Sequence, residues 1–314
     1  MRIFTLTLNP VIDVHFALEH LRVGVENFPA ARRVFAAGKG VNVTRALGLH
    51  GVDAPAYVLL GNEDADRYLS LLRRDGLAAE YVTVPGEMRE YISLNAAGDN
   101  TETRICHKPF RADDAAVNAL CGRLLDRTAH GDIVCISGGL PRGVSVDNIS
   151  RISRVFRNKG VRVALDSAAF DADEIAAAAP WLIKPNLAEA KALLGIDAAG
   201  AEPAAPASRL TAEPAELASR LTALAPNVLL SLGPDGALFA SRSAVGSVNI
   251  LSRPADPVPH CYSTVGAGDN LLAGFLFSLL SSGLTDDGPV PPEFAASALA
   301  SATRFAAELC GQER

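Results

Sequence analysis

Short, continuous runs of apolar residues alternate with longer segments of helical periodicity along most of this chain of 314 residues. An apolar run without polar alternation is typical of a strand that is buried on both faces. Such strands need helices above and below a parallel sheet. The pattern therefore predicts an α/β fold, with a central, mostly parallel sheet flanked by helices in three layers, and with residues 1–314 forming a single domain.

The positions of the runs predict where the elements lie. We predict strands at residues 3–8, 56–60, 132–137, 162–166, 181–184 and 227–232. We predict helices at residues 41–50, 65–75, 113–128, 146–158, 188–194, 213–224, 271–281 and 292–310. Segment 198–214 is rich in alanine and proline, which predicts an irregular surface connection.

Two segments, residues 14–35 and 88–110, interrupt the alternation. Within the second, β-type residues at 91–94 and 101–106 flank a turn signal, which predicts a hairpin. Strands outside the main sheet predict a small β-sheet lid over a binding site, and their edges or faces would invite pairing with a second subunit. A hairpin that only covers the surface is the alternative.

Composition and charge exclude several classes of protein. Apolar stretches such as residues 271–280 are shorter than the roughly 20 residues that span a bilayer, and the start lacks the core of a signal peptide. We therefore expect a cytoplasmic protein with no membrane partner. The five cysteines are scattered, so neither a disulfide framework nor a zinc ribbon is expected. A net charge of −6 gives no basic footprint for nucleic acid.

The segment from Ser263 to Asp269 places small residues and one carboxylate at the start of a helix. Because a helix N-terminus has unpaired N–H groups, Gly266, Ala267 and Gly268 would let a phosphoryl group approach the main chain. Asp269 would then lie beside the transferred group, where a carboxylate can take a proton from a substrate hydroxyl. The alternative is an ordinary helix with a capping aspartate.

The turn at residues 37–43 contains two glycines and precedes a helix, but it matches neither common nucleotide motif. A Walker A loop would need glycine at Arg33, and a dinucleotide fingerprint would need glycine at Val43. The turn presents Lys39 and Asn42, which suit a polar or anionic ligand. A purely structural turn remains open.

Two further motifs follow predicted strands. Asn186 and Glu189 lie three residues apart at a helix start, where they could organise hydrated magnesium or form a capping box. The turn from Ser231 to Gly236 could hold a nucleotide phosphate or only connect a hairpin.

Taken in order, these motifs make the chain resemble the PfkB (ribokinase-like) carbohydrate kinase family over nearly its whole length. The matching segments are residues 7–13, 36–43, 137–141, 184–186 with Glu189, 231–233 and 263–269. Ser263 and the start at residues 7–13 resemble more narrowly the phosphosugar branch, which contains 1-phosphofructokinase and tagatose-6-phosphate kinase.

The resemblance implies a ribokinase-like fold and a set of roles. The catalytic base would be Asp269, with an anion hole at Gly266, Ala267 and Gly268. The sugar phosphate would be bound by Asp13, Gly38, Lys39, Asn42, Arg89, Arg104 and Ser137. ATP would be bound by Lys184, Asn186, Ser231, Gly233, Gly236, Thr264 and Asn270. Asn186 and Glu189 would hold Mg²⁺ through water, and two subunits would form a homodimer through the lid.

The implied activity is ATP-dependent phosphorylation of a ketohexose phosphate, either fructose 1-phosphate or tagatose 6-phosphate. The lid departs from the branch, which usually carries Thr-Arg-x-Asn where this chain has Met88-Arg89-Glu90-Tyr91. Glu90 would repel a phosphate unless the alternation of the strand turns it away. A kinase for an unphosphorylated sugar or nucleoside, and a catalytically silent sensor, are the alternatives.

Overall fold

The computed structural model describes residues 1–99, 101–107, 110–196 and 207–312, with the side chains of 207–212 not described. Its strands are β1 (Ile3–Thr7), β2 (Val11–Leu18), β3 (Ala31–Ala37), β4 (Ala56–Gly61), β5 (Ala79–Val84), β6 (Arg89–Ala96), β7 (Thr101–Cys106), β8 (Ile133–Ser137), β9 (Arg162–Asp166), β10 (Leu182–Ile183), β11 (Asn227–Ser231), β12 (Ala237–Arg242) and β13 (Val248–Arg253). Its helices are α1 (Lys39–Leu49), α2 (Ala65–Arg74), α3 (Asp114–Arg127), α4 (Val146–Asn158), α5 (Ala172–Ala178), α6 (Leu187–Leu193), α7 (Ala207–Leu221), α8 (Ala267–Leu280) and α9 (Pro292–Cys310).

The described residues form a main sheet with the strand order β13-β12-β11-β10-β9-β8-β1-β4-β5. The seven strands β5, β4, β1, β8, β9, β10 and β11 pair with their neighbours in parallel. The strands β12 and β13 continue the sheet beyond β11 with antiparallel pairing. Every residue of β1, β8 and β9 is buried, as their apolar sequences predict. The α/β fold with a mostly parallel central sheet is therefore confirmed.

Helices cover both faces of this sheet. On one face, Leu47 of α1 joins Phe275 of α8 and Phe305 of α9 in one buried cluster. On the other face, α2, α3, α4, α6 and α7 pack in a second cluster that includes Leu120 and Phe156. None of the described helices is both long and apolar enough to cross a membrane.

The two segments that interrupt the alternation form a separate four-stranded sheet with the order β3-β2-β6-β7. In this sheet β2 pairs in antiparallel fashion with β3 and in parallel with β6. The hairpin predicted around residues 97–100 is present, with β6 and β7 as its arms. The small sheet begins directly after β1, which places it beside the carboxyl ends of the parallel strands.

Other elements differ from the sequence predictions. Helix α5 and the strands β5, β12 and β13 were not predicted, although Asp171 and Glu174 give α5 a complete capping box that the sequence displays. The predicted irregular connection at 198–214 is wrong where it can be compared, because α7 begins at Ala207 and includes Pro214. A proline inside a helix is unfavourable, but most of the stability of a helix comes from tertiary packing, and Leu217, Ala218 and Leu221 of α7 are buried in the core. Residues 198–206 of that prediction lie outside the described residues.

Helices α8 and α9 approach each other at a glycine. A Cβ atom on Gly274 would lie 2.3 Å from the carbonyl oxygen of Ser301 in α9. Backbone atoms cannot move aside as a flexible side chain would, so only glycine permits this approach. Gly122 in α3 provides a contrast, since outside its own helical turn no atom of the described residues lies within 4 Å of the position that its Cβ would occupy.

We predict opposite effects of alanine at these two glycines. Gly274→Ala should destabilise the fold by about 1–3 kcal/mol, because the added methyl group overpacks the contact between α8 and α9. Gly122→Ala should stabilise it by about 0.5–1 kcal/mol through helix propensity alone. Urea unfolding of both variants measures the two free energies, and equal shifts would contradict the packing argument.

Candidate active site

The polar residues of interest collect at the carboxyl edge of the main sheet. Ser137 ends β8, Asp166 ends β9, and Lys184 follows β10 directly. Loops at this edge of an open α/β sheet are where such folds bind their ligands. The chain connections at the edge therefore bring distant motifs together.

Asp166 occupies the centre of this cluster. Lys39 Nζ lies 2.9 Å from its Oδ1, and Lys184 Nζ lies 3.3 Å from its Oδ2. Burial opposes the charge of Lys39, yet the attraction and hydrogen bond of Asp166 raise the Lys39 pKa above its ordinary value. Sequence reasoning missed Asp166, although its position as a carboxylate that ends a buried apolar strand was a usable signal.

Asp269 lies in the first turn of α8 and is buried. Burial and the negative charge of Asp166 raise the pKa of Asp269 to about 6, against the opposing effects of Asn42, Lys184 and Lys39. A carboxyl group with a pKa near neutrality can exchange a proton with a bound hydroxyl.

Asn42 fixes the orientation of Asp269. Its Nδ2 donates a 2.7 Å hydrogen bond to Asp269 Oδ2, and its Oδ1 accepts from Arg45 Nη1 at 3.0 Å. The turn that positions α1 depends on Gly38, where φ is +138° and a Cβ would lie 2.8 Å from Thr7 Cγ2. The structure thus places Asn42, which we predicted to touch the sugar, against the carboxylate of Asp269.

The start of α8 carries N–H groups without partners. Gly266 adopts a left-handed conformation as the N-cap, and Asn270 Nδ2 donates to its carbonyl oxygen at 3.0 Å. The N–H of Ala267 is occupied, because it donates to the carbonyl of Thr264 at 3.1 Å. Within the described chain, the N–H groups of Gly266 and Gly268 have no partner. They leave room for an anion, with Lys184 close by, since a Cβ on Gly268 would lie 3.3 Å from its Nζ.

Two groups of the residues predicted to bind ATP lie in different parts of the site, one after β10 and β11 and the other at the start of α8. Asn186 forms a bridge with Ser231 between neighbouring strands, and the turn containing Gly233 and Gly236 follows. Asn270 is buried inside the helix start instead, bonded to Gly266.

Asn186 and Glu189 form the capping box that the sequence left as an alternative. Asn186 Oδ1 accepts from Glu189 N, and Glu189 Oε2 accepts from Asn186 N, both at 2.9 Å. Glu189 Oε1 has no partner among the described residues. No group of three or more His, Cys, Asp or Glu side chains in the described chain forms a metal cage. One free carboxylate oxygen fits Mg²⁺ held mainly by water and substrate phosphates.

The small sheet contributes Asp13 and Arg89. Asp13 Oδ2 lies 3.1 Å from His15 Nε2, while its Oδ1 is buried and has no hydrogen-bond partner among the described residues. Arg89 stacks its guanidinium group on the ring of Tyr91, with 4.6 Å to the ring centroid. Glu90 is turned to the other face, where it pairs with Arg67 of α2 at 3.1 Å.

Two predicted sugar-binding residues lie apart from this group. Arg104 on β7 is exposed, pairs with Glu102 at 2.8 Å and lies opposite Ser93, four positions along β6 from Arg89. The structure does not bring Arg104 and Arg89 together. Ser137 is beside Asp166 in the sheet, but its hydroxyl is buried and has no hydrogen-bond partner in the described part of the chain.

Comparison with known proteins gives consistent relatives. The 1-phosphofructokinase of Bacillus subtilis is 28% identical over 317 residues, covering 99% of this chain and 95% of that protein. The 1-phosphofructokinase of Escherichia coli K12 is 30% identical over 279 residues, covering 89% and 84% of the two chains.

Solved structures show the same fold. Phosphofructokinase-2 from Escherichia coli in complex with fructose-6-phosphate superimposes with a TM-score of 0.79 at 24% identity, covering 98% of this chain and 95% of that one. A ribokinase from Thermotoga maritima gives a TM-score of 0.72 at 16% identity, covering 100% and 94%.

The family assignment rests on the length of the match as well as on these relatives. The sequence pattern of the pfkB family carbohydrate kinases matches residues 11–311. That range contains every motif named above except the first residues of the start, and it includes the glycine turn, the cluster around Asp166 and the start of α8. The protein is therefore an enzyme that transfers phosphoryl groups from ATP, and the chain belongs to the pfkB family of carbohydrate kinases.

Proposed function

We propose that the protein transfers the γ-phosphoryl group of ATP to a hydroxyl of a ketohexose phosphate, with Asp269 as the general base. One observation carries the proposal: a buried carboxyl group with a pKa near 6 lies beside unpaired N–H groups and the two lysines bound to Asp166. These are a base, an anion-binding helix start and positive charge, which phosphoryl transfer requires together.

In the proposed reaction, ionised Asp269 accepts the hydroxyl proton as the sugar oxygen attacks the γ-phosphorus. The bond from that phosphorus to the bridging oxygen breaks, ADP leaves, and the proton passes to solvent from Asp269. The N–H groups of Gly266 and Gly268 and the ammonium group of Lys184 would stabilise charge on the transferred group. Asn42 would keep the carboxylate aimed at the hydroxyl.

Residues on the nucleotide side would bind ATP with Mg²⁺. Asn186 and Glu189 would hold the ion through water, and the bound ion would neutralise phosphate charge. Ser231, Gly233 and Gly236 follow the same strand edge and would contact the nucleotide, with Thr264 at the turn before α8.

We propose fructose 1-phosphate as the preferred substrate, giving fructose 1,6-bisphosphate, with tagatose 6-phosphate as the second candidate. Relatives named 1-phosphofructokinase match most of this chain. Arg89 supports a phosphorylated sugar, because its charge is not neutralised by Glu90, which pairs with Arg67. The buried Oδ1 of Asp13, which has no partner within the described ranges, would accept a hydrogen bond from a sugar hydroxyl.

We also propose that the small sheet is a lid through which two copies associate. Val34, Val14, Ile92 and Ile105 form one apolar row across its four strands. Ile105 at the end of this row is 56% exposed. Val14 is already buried in its own subunit, and Val34 and Ile92 pack against that subunit's core, so a second copy of the sheet would cover the exposed end of the row at Ile105.

A panel of acceptors tests the reaction. With Mg²⁺ and ATP, we expect the fastest ADP release with fructose 1-phosphate among fructose 1-phosphate, fructose 6-phosphate, tagatose 6-phosphate, fructose and ribose. Asp269→Asn should lower kcat by about 10²- to 10⁴-fold, since it removes the base.

The same variant provides its own control for folding. The amide introduced by Asp269→Asn can still accept a hydrogen bond from Asn42, and the substitution removes an ionised carboxylate that burial disfavours, so the melting temperature at pH 8 should not fall. ATP binding should also persist. Comparable turnover by the variant would exclude Asp269 as the base, and release of ADP with none of the sugars would exclude the proposed function.

The rate should depend on pH through Asp269. The base works when ionised, so kcat should rise from pH 5 to pH 7 with a midpoint near 6. The hydrogen bond from Asn42 lowers the pKa of Asp269, so Asn42→Ala should move the midpoint to higher pH. A midpoint that stays in place in this variant would point to ionisation of the substrate phosphate instead.

Mutation of the apolar row tests the association. Ile105→Glu should convert a dimer into a monomer in sedimentation velocity, because a carboxylate would be buried in the interface. Val245→Glu, at a 90% exposed position in the turn between β12 and β13, serves as the control and should leave the dimer intact. A wild-type monomer at working concentration would refute the proposal.

A further inference from the structure

A cavity of about 270 Å³ lies between the small sheet and the loop that follows β8. The side chains of Arg89, Arg142, Asn9 and Phe110 line it, together with residues 139–141 of the loop. Arg142 belongs to none of the roles assigned above. It follows the loop motif at 137–141 directly and brings a second guanidinium group to the cavity that Arg89 reaches.

The two arginines have no counter-charge in this cavity. In the described part of the chain, the guanidinium groups of Arg89 and Arg142 have no hydrogen-bond or ion-pair partner, although that of Arg89 stacks on Tyr91, and no carboxylate lines the cavity. Glu90, which follows Arg89 in the sequence, pairs with Arg67 on the opposite face of the small sheet. Two like charges on one concave surface repel each other unless an anion lies between them, and a phosphate dianion matches both.

The backbone at Arg142 is held in place. The N–H of Ala112 donates to the Arg142 carbonyl at 3.0 Å, and residues 111 and 142 form a strand bridge. Gly143 makes this contact possible, because its φ is +94° and a Cβ there would lie 2.5 Å from the carbonyl oxygen of Ala112. Asn9 holds the other end of the loop by donating to the Leu140 carbonyl at 3.3 Å. The side chain of Arg142 therefore starts from a fixed point at the rim.

The cavity also lies within reach of the reacting centre. The loop begins at Gly138, whose N–H donates to the Asp166 carbonyl at 2.9 Å. Arg142 is four residues further on, so at most about 14 Å of chain separates it from the cluster of Asp166 and Lys39. A sugar with its reacting hydroxyl near Asp269 would extend a phosphate at its other end towards this rim.

We propose that Arg142, together with Arg89, binds the phosphate of the sugar substrate that is not transferred. The proposal rests on the function proposed above and deepens it, because it makes Arg142 a residue that selects phosphorylated over free sugars. Arg142 contacts the distant phosphate only, so it acts on substrate binding and leaves the chemical step at Asp269 unaffected.

Steady-state kinetics with fructose 1-phosphate and ATP tests this role. Arg142→Ala should raise the KM for fructose 1-phosphate about 10- to 100-fold, the loss expected for a hydrogen bond to a charged group, while kcat and the KM for ATP stay close to wild type. Inorganic phosphate should compete with the sugar phosphate in the wild type and compete less well in this variant. Arg89→Ala should show the same pattern.

Two variants keep the test decisive. Arg111→Ala removes an equal charge from the neighbouring residue outside the cavity lining and should leave the KM unchanged. Arg142→Lys retains the charge without the planar fork, so its KM should lie between those of wild type and alanine, and it replaces the alanine variant if that one fails to fold.

The outcomes separate the inference from the proposed function. An unchanged KM in Arg142→Ala, or an equal rise in Arg111→Ala, would overturn the role of Arg142 while the kinase activity stands. A wild-type enzyme that phosphorylates only free sugars would overturn both.

Discussion

The buried carboxylate of Asp166 is the interaction on which the rest of the site depends. It holds Lys39 from the start of α1 and Lys184 from the end of β10, so three elements meet at one charge. Without it the ammonium group of Lys184, whose side chain is 5% exposed, would lie unpaired at the sheet edge beside the partly exposed Lys39, and an unpaired buried charge is costly. The same pairing raises the pKa of Lys39, against the effect of burial, and leaves its positive charge available to an anionic substrate.

The pKa of Asp269 is set by opposing effects of burial and neighbouring charges. Burial and the charge of Asp166 favour its protonated form, while Asn42 and the two lysines favour the ionised form. The result is a carboxyl group that titrates near neutrality rather than at the ordinary acidic pKa of aspartate. Lys39 and Lys184 both pair with Asp166 and both lower the pKa of Asp269. A change in either lysine would therefore alter the binding of an anion and the pKa of the proposed base together.

The comparison of sequence with structure shows which kinds of signal can be read. Strands β1, β8 and β9 were predicted because continuous apolar runs report burial directly. The capping box of Asn186 and Glu189 was foreseen as one of two possibilities, since its partners are three residues apart. The position of Asp166 at the end of a buried strand marks it as a candidate, but nothing local shows that two distant lysines converge on it. Helix α7 was predicted only in its second half, from residue 213, because the Pro and Ala content before that residue suggested a loop, whereas the helix begins at Ala207 and packs its second half into the core.

By itself the sequence determined the layered α/β fold, the small second sheet and the helix start at Gly266 to Asp269, because periodicity, turns and caps are set by residues close in the chain. Only the tertiary structure decided that Asn42 donates to Asp269, 227 residues away, and that Glu90 turns towards Arg67. It also decided that Arg142 and Arg89 face one cavity. Sheet register and loop packing fix these distances, and no local pattern encodes the meeting of two side chains that belong to different elements.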